Sequence, residues 1–341
     1  MSQIQVGLLG FGLAGSVFHA PLIQACEGLQ LAAIGSRSFD GKQVPTGVRC
    51  DSIDAVLRDP AIELIVIATP NDSHATLARQ ALSAGKHVVV DKPFVLRAED
   101  AEDLIALARE RDRCLSVFHN RRWDADFLTA QQAIADGRLG PISYAELHFD
   151  RYRPQLKPRW REQPGEGAGV LYDLGSHLVD QACCLFGLPR AVSADVLAQR
   201  PGAEVDDYFH LLLDYGSTRV VLHASSLMFA HGPRIALHGD AAGFRHFGLD
   251  SQEADLKAGL RPGSQAWGRL REGRAELLGH DGKVTALESL CGRYQDFYTG
   301  IVRALRTGAP PPVRAEEALG VIRVLEAAMR SAAERRTVEL S

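Results

Sequence analysis

Paired cysteines, long hydrophobic runs and a surplus of charge of one sign are all missing from this sequence. The six cysteines, Cys26, Cys50, Cys114, Cys183, Cys184 and Cys291, are scattered and form no CxxC pair. That spacing argues against a disulfide framework and against a zinc site, and it predicts a reducing, cytoplasmic setting with no bound metal. No stretch approaches the ~20 uninterrupted apolar residues that a membrane span needs. The amino terminus lacks the basic segment, apolar core and cleavage site of a secretory leader, because Met1-Ser2-Gln3 leads straight into a strand pattern. With 38 basic against 42 acidic residues the formal charge is −4, so nothing suggests nucleic acid or an anionic membrane as partner. What remains is a chain of 341 residues, 46% hydrophobic and 23% charged, which is ordinary for a soluble globular protein of about two domains.

The most informative stretch is at the start. Ile4, Val6, Leu8 and Leu9 read as a buried strand, and Gly10-Phe11-Gly12-Leu13-Ala14-Gly15 follows it and opens a helix. A dinucleotide site needs this order: Gly10 for a tight turn, Gly12 for close approach of backbone to a pyrophosphate, Gly15 for close helix–strand packing. Phe11 and Ala14 lie in the same turn. The helix start presents unpaired N–H groups and its positive dipole end to the phosphates. A second strand, Leu29 to Ile34, ends in Gly35-Ser36-Arg37-Ser38, and the first acidic residue beyond it is Asp40. NAD sites usually carry a carboxylate there to bond the ribose 2′-hydroxyl. Ser36 and Arg37 instead suit a 2′-phosphate, because a guanidinium offers planar, charge-assisted donors. The pattern predicts NADP over NAD; the alternative is a solvated loop with an incidental arginine.

Residues 1–118 alternate short apolar runs with helical patterns. Leu64 to Ala68 and His87 to Val90 read as buried strands, Asn71 to Ala84 as a helix capped by Asn71 or Asp72 and stopped by Gly85, Ala98 to Arg111 as a helix, and Leu115 to Phe118 as a strand. This alternation predicts an α/β fold with a doubly wound parallel sheet. Residues 119–341 read differently. Ile142 to Phe149 alternates like a half-exposed strand, Tyr208 to Leu213 and Arg219 to Ala224 flank a hairpin turn, Ile235 to His238 and Gly243 to Phe247 add strands, and Arg293 to Leu305 and Ala315 to Glu334 are helical. The expectation is an α+β domain with an open, mostly antiparallel sheet carrying helices on one face. Residues 251–290 are polar and Gly-rich and show no readable pattern.

Two features carry chemistry. The strand ending at Val90 runs into Asp91-Lys92-Pro93-Phe94, at the sheet end where ligands of open α/β folds bind. Lys92 there is suited to polarising a substrate oxygen or holding a developing alkoxide, although standing alone it reads equally well as a surface residue. Further on, Gly165 to Gly169 precedes a helical run in which Leu171, Leu174, Leu178, Ala182 and Leu185 make an apolar stripe, with Asp173, His177, Asp180 and Cys184 beside it. Asp173 and His177 thus share a face. A carboxylate that orients an imidazole makes an acid/base pair, and a solvated surface pair has the same spacing.

In this order, the glycine turn, the lysine after its strand and the DxxxH helix resemble the Gfo/Idh/MocA family of oxidoreductases over essentially the whole chain. The resemblance extends to Thr69-Pro70-Asn71-Asp72-Ser73-His74, similar to the family's cofactor-contacting loop, and to His119-Asn120-Arg121-Arg122-Trp123. It implies a Rossmann domain (1–118) and a substrate-binding and oligomerisation domain (119–341), assembled as a homodimer or homotetramer. It implies a catalytic set of Lys92, Asp173 and His177, with His177 as acid/base. It implies cofactor contacts from Thr69, Pro70, Asn71, His74 and Asp91, and substrate contacts from Asn120, Arg121 and Asp180. Asp91 stands where the family commonly has Glu. The wording at residues 15–19 and the DKPF and HNRRWD segments resemble a bacterial subgroup with NADP-dependent scyllo-inositol dehydrogenases. The expected activity is therefore hydride transfer between NADP(H) and a secondary hydroxyl of a cyclic polyol or sugar. Redox-assisted glycoside cleavage and a non-catalytic NADP sensor are the alternatives. The basic run Arg151, Arg153, Lys157, Arg159 and Arg161 reads as a solvated loop or as a cover for phosphates, and His210 and His223 read as structural residues.

Overall fold

The computed structural model describes residues 2–340. Two compact units are built from discontinuous stretches: one from the chain up to Asn120 with Gln252–Trp267 and Arg293–Leu319, the other from Arg121–Ser251, Gly268–Gly292 and the chain from Gly320 onward.

In the first unit β1 (Ile4–Leu9) leads to a π-helical turn (Ala14–His19) that continues into α1 (Ala20–Ala25). Then come β2 (Leu29–Gly35), β3 (Arg49–Asp51), α2 (Ile53–Arg58), β4 (Leu64–Ile67), α3 (His74–Ser83), β5 (His87–Asp91), α4 (Ala98–Glu110) and β6 (Leu115–Phe118). The six strands are parallel, in the order β3-β2-β1-β4-β5-β6. The order reverses between β1 and β4, so their carboxyl ends mark the switch point where such sheets take ligands. All four residues of β4 are buried, as a strand covered on both faces requires. One local expectation fails. Asn71 and Asp72 do not cap a helix; they lie in a 3-10 turn, Asn71–Ser73, and α3 starts at His74. The Ser73 hydroxyl donates to the Pro70 carbonyl at 2.6 Å, tightening the turn that displaces the helix start. Gly85, with φ +74°, ends α3 as expected.

The second unit opens with α5 (Ala125–Ala135) and β7 (Ile142–His148), followed by a π-helical turn (Leu171–Gly175) that runs into α6 (Ser176–Phe186). Next are β8 (Ala191–Leu197), β9 (Tyr208–Tyr215), β10 (Thr218–Ser225), β11 (Ile235–Gly239) and β12 (Gly243–Phe247). After α7 (Gln252–Lys257), which belongs to the first unit, come β13 (Arg274–Leu278) and β14 (Val284–Leu287). Helix α8 (Gln295–Thr307) is again part of the first unit, α9 (Ala315–Glu334) passes from one unit into the other, and β15 (Val338–Glu339) is last. Nine strands make one sheet, β14-β13-β12-β11-β7-β10-β9-β8-β15, antiparallel at every junction except the parallel pair β7 and β10. Alternate residues such as Ala145 and Leu147 of β7, or Phe209, Leu211 and Leu213 of β9, are buried, which makes the sheet two-faced. The region 251–290, unreadable in the sequence, supplies α7, β13 and β14. Among the described residues no helix is long and apolar enough to cross a membrane, and none of the six cysteines is in a disulfide.

Candidate active site

The glycine turn beyond β1 separates two kinds of glycine. Gly10 has φ +91°, and a Cβ on it would lie 2.6 Å from the Ala68 carbonyl oxygen. A Cβ on Gly15 would lie 2.1 Å from the Gly10 oxygen. Both are demanded by the protein's own backbone. Gly12 is different: no atom stands within 4 Å of where its Cβ would be. Nothing inside the unit explains a glycine there, whereas a pyrophosphate lying against bare backbone does. The first turn beyond Gly12 is held by Ser16, whose N–H and hydroxyl donate to the Gly12 carbonyl at 2.9 and 2.7 Å. The Phe11 ring meets Phe39 at 6.4 Å, so the loop after β2 lies against the same turn. Arg37 is exposed in that loop. The Ser36 hydroxyl donates to the Ser38 carbonyl at 2.9 Å, and Asp40, the first acid, is engaged by the Ser38 hydroxyl at 2.8 Å. Ser36 and Arg37 thus stand beyond β2 with no carboxylate before Asp40.

The carboxyl ends of β4 and β5 are joined by His74. Its ring, 1% exposed, places Nδ1 2.9 Å from the Pro93 carbonyl and Nε2 3.0 Å from the Thr69 carbonyl. It therefore ties the Thr69–Asn71 loop to the turn that carries Lys92. The Thr69 and Ser73 hydroxyls pair at 2.6 Å in the same loop. Asp91 accepts the Lys92 N–H at 2.8 Å, which fixes the start of that turn.

Behind Asp91 stands a buried pair that the sequence reading did not single out. His19 Nδ1 lies 2.6 Å from the Tyr298 hydroxyl, and its Nε2 lies 3.8 Å from Asp91 Oδ1, too far for a hydrogen bond but close enough for charge to be felt. Burial pushes the Tyr298 hydroxyl well above its ordinary range, helped by the Asp91 charge, so it stays protonated and donates to Nδ1. Burial alone would raise the Asp91 carboxyl; His19 facing it and the charge of Lys92 outweigh that and hold it below the usual range. The His19 ring packs 4.4 Å from Phe118, and Phe118 meets Phe297 edge-on at 4.9 Å. The only sequence signal was a histidine beside the glycine turn; its partner Tyr298 is 279 residues away.

In the second unit the expected DxxxH helix begins as a wider π-helical turn rather than an α-helix. Gly175 sits inside it, where a Cβ would approach Leu171 Cδ1 to 2.9 Å. Leu171, Leu174, Leu178 and Ala182 of the stripe are buried, while Leu185, near the end of α6, is half-buried. Asp206 caps the turn, accepting the Leu171 N–H at 2.7 Å. It also explains the glycine before the turn: Gly169 has φ +90°, and a Cβ there would fall 1.9 Å from Asp206 Oδ1. Burial pushes Asp206 up to about 6, against the pull of its backbone N–H bonds. His177 is buried at the first turn of α6, and Asp173 pairs with Arg161 Nε at 3.2 Å.

Asp180, 2% exposed, accepts from Arg122 with both oxygens, Nε to Oδ2 at 2.9 Å and Nη2 to Oδ1 at 2.6 Å. Arg121 donates to Asp124 at 3.0 Å and lies 4.6 Å over the Phe149 ring. Asn120 is buried at the last position of the first unit. Much of the basic run is occupied internally: Arg159 donates to Glu162 at 2.6 Å, Arg161 serves Asp173, and Arg151 lies over Phe149.

Two family models match this chain, one described as an oxidoreductase family NAD-binding Rossmann fold over residues 4–119, the other as that family's C-terminal alpha/beta domain over residues 131–340. The chain belongs to the Gfo/Idh/MocA oxidoreductase family. It is 44% identical to the scyllo-inositol 2-dehydrogenase (NADP(+)) IolW of Bacillus subtilis (strain 168), covering 100% of this chain and 97% of that protein. It is 45% identical to the uncharacterized oxidoreductase YdgJ of Escherichia coli (strain K12), covering 99% of each. Among solved structures, yvaA from Bacillus subtilis superposes with a TM-score of 0.96 at 42% identity, covering 100% of this chain and 99% of that one.

Proposed function

We propose that the protein is an NADP(H)-dependent dehydrogenase acting on a secondary hydroxyl of a cyclic polyol or sugar of the inositol class. The observation that carries the reading is Lys92, held at the carboxyl end of β5 in the sheet whose Gly12 faces open space. Full-length likeness to an NADP-dependent scyllo-inositol dehydrogenase supports the substrate class. NADP(H), when bound, supplies the hydride acceptor or donor. The backbone of Gly10, Phe11, Gly12, Ala14 and Gly15 takes the pyrophosphate, Ser36 and Arg37 take the 2′-phosphate, and Thr69, Pro70, Asn71, His74 and Asp91 complete the cofactor contacts. Lys92 polarises the substrate oxygen. His177 takes the hydroxyl proton in oxidation and returns it in reduction, and Asp173 orients it. Asn120, Arg121 and Asp180 bind or frame the substrate. Residues 1–118 serve the nucleotide and 119–341 the substrate, in a cytoplasmic homodimer or homotetramer.

Lys92→Ala and His177→Ala should each lower kcat by at least ~10²-fold, the usual scale for losing electrostatic or acid–base help. Circular dichroism of the variants keeps loss of chemistry apart from loss of fold. Undiminished kcat in both would overturn the assignment.

A further inference from the structure

Among the described residues, one group of histidine and carboxylate side chains outside the proposed redox machinery converges as metal ligands do. We propose that His148, Asp150 and His223 form a site for a divalent transition cation of the zinc class, tying together the carboxyl ends of the parallel strands β7 and β10. No spacing rule points to it, because His148 and Asp150 stand at the end of β7 and His223 on β10, far apart in the chain.

The geometry is that of an inner ligand set. His148 and His223 are register partners on β7 and β10, so both rings project from the same sheet face. Asp150 stands between them with one oxygen toward each: Oδ2 lies 3.2 Å from His148 Nδ1, and Oδ1 lies 2.7 Å from His223 Nδ1. One ligand atom from each residue falls within 4.8 Å of the others. Bonds of about 2.0–2.2 Å to a zinc-class ion place its ligand atoms roughly 3.3 Å apart, so the 2.7 Å pair must open slightly while the other separations stay within 4.8 Å. His223 Nδ1 is buried and makes no hydrogen bond of acceptable angle, despite its closeness to Asp150. A nitrogen held beside a carboxylate without a proton in line between them is placed to donate its lone pair.

The surroundings hold the set in place. The Ser225 N–H donates to Asp150 Oδ1 at 3.2 Å, and the Arg234 guanidinium donates to the His148 carbonyl. Such outer contacts orient ligands before the ion arrives. Asp150 is almost fully buried, with one carboxylate oxygen facing each imidazole. Glu146 of β7, Tyr208 and His210 of β9 and Asp195 of β8 also feel or face this cluster. Two imidazoles and one carboxylate suit Zn²⁺, Co²⁺ or Ni²⁺ over Mg²⁺ and Ca²⁺, which prefer all-oxygen shells. The site does not depend on the redox reading.

The test is a titration of the full-length protein, stripped with a chelator and dialysed, with Co²⁺ as probe. The expected result is one equivalent per chain, with visible ligand-field bands that Zn²⁺ bleaches and no thiolate charge-transfer band in the near ultraviolet. His223→Ala and Asp150→Asn should weaken binding at least ~10-fold. His148→Gln, at a more exposed ring, should do the same if either buried variant fails to fold. Absence of the bands at stoichiometric Co²⁺, unchanged affinity in folded His148→Gln, or a thiolate band that moves the ligands to the cysteines would each overturn the proposal.

Discussion

At the scale of single residues, the proposed preference for NADP rests on one exposed arginine. Arg37 stands at the end of β2 where no carboxylate competes, since Asp40 is held by Ser38. A charge-assisted bond of about 1.5–3 kcal/mol corresponds to roughly 10- to 100-fold in affinity. Arg37→Ala should therefore raise KM for NADP by at least ~10-fold and leave KM for NAD nearly unchanged. An equal rise for both cofactors would show that Arg37 does not read the 2′-phosphate. Candidates of this kind can be proposed from sequence because their pattern is local: three glycines, an arginine and a lysine at fixed offsets from strands. The bonds that fix them were not. Arg122 reaches Asp180 across 58 residues, and Asp206 caps a turn 35 residues upstream. No spacing rule links such positions.

At the scale of elements, the sheet-forming runs announced themselves because strands buried on both faces must be apolar throughout, as in Leu64 to Ile67. Helix starts were less faithful. Asn71 looks like a cap, yet the 3-10 turn it opens moves the start of α3 to His74, where the ring joins two loops. Short edge strands such as β14, Val284–Leu287, are too brief and too exposed to show an alternating or continuous buried pattern. Helix α8 makes a test at this scale. Its Tyr298 hydroxyl is the partner of the fully buried His19. Tyr298→Phe leaves a buried ring nitrogen without its donor, which costs about 1–3 kcal/mol. Denaturant unfolding should show a loss of that size. An unchanged midpoint would mean that the His19–Tyr298 bond does not hold α8 against the sheet of its unit.

For the whole molecule, composition and strand rhythm disclosed the two kinds of sheet but not the path of the chain, which leaves the first unit at Asn120 and returns to it twice. Such returns are set by tertiary contacts like Tyr298 with His19. Global stability also carries a pH signature. His246, fully buried on β12 with Nε2 3.0 Å from the Ser289 hydroxyl, is pushed down to about 4 by burial and then by the Arg234 charge. The folded protein keeps it neutral, while the unfolded chain takes up the proton near the ordinary value of 6.5. Its contribution is present above that value and is lost as pH falls from about 6.5 toward 4. At pH 5 the loss is about 2 kcal/mol. His246→Gln should flatten the stability profile across this window by that amount, and an unchanged slope would contradict the assignment.

The proposed activity is hydride transfer between NADP(H) and a cyclic polyol. Its most direct test is absorbance at the reduced-nicotinamide band while the protein meets NADP, or NAD, with a panel of inositols, sugars and sugar acids. A rise with NADP and a cyclic polyol, scyllo-inositol foremost, and a much weaker rise with NAD are expected. No rise with any member of the panel, from protein that binds NADP, would contradict it.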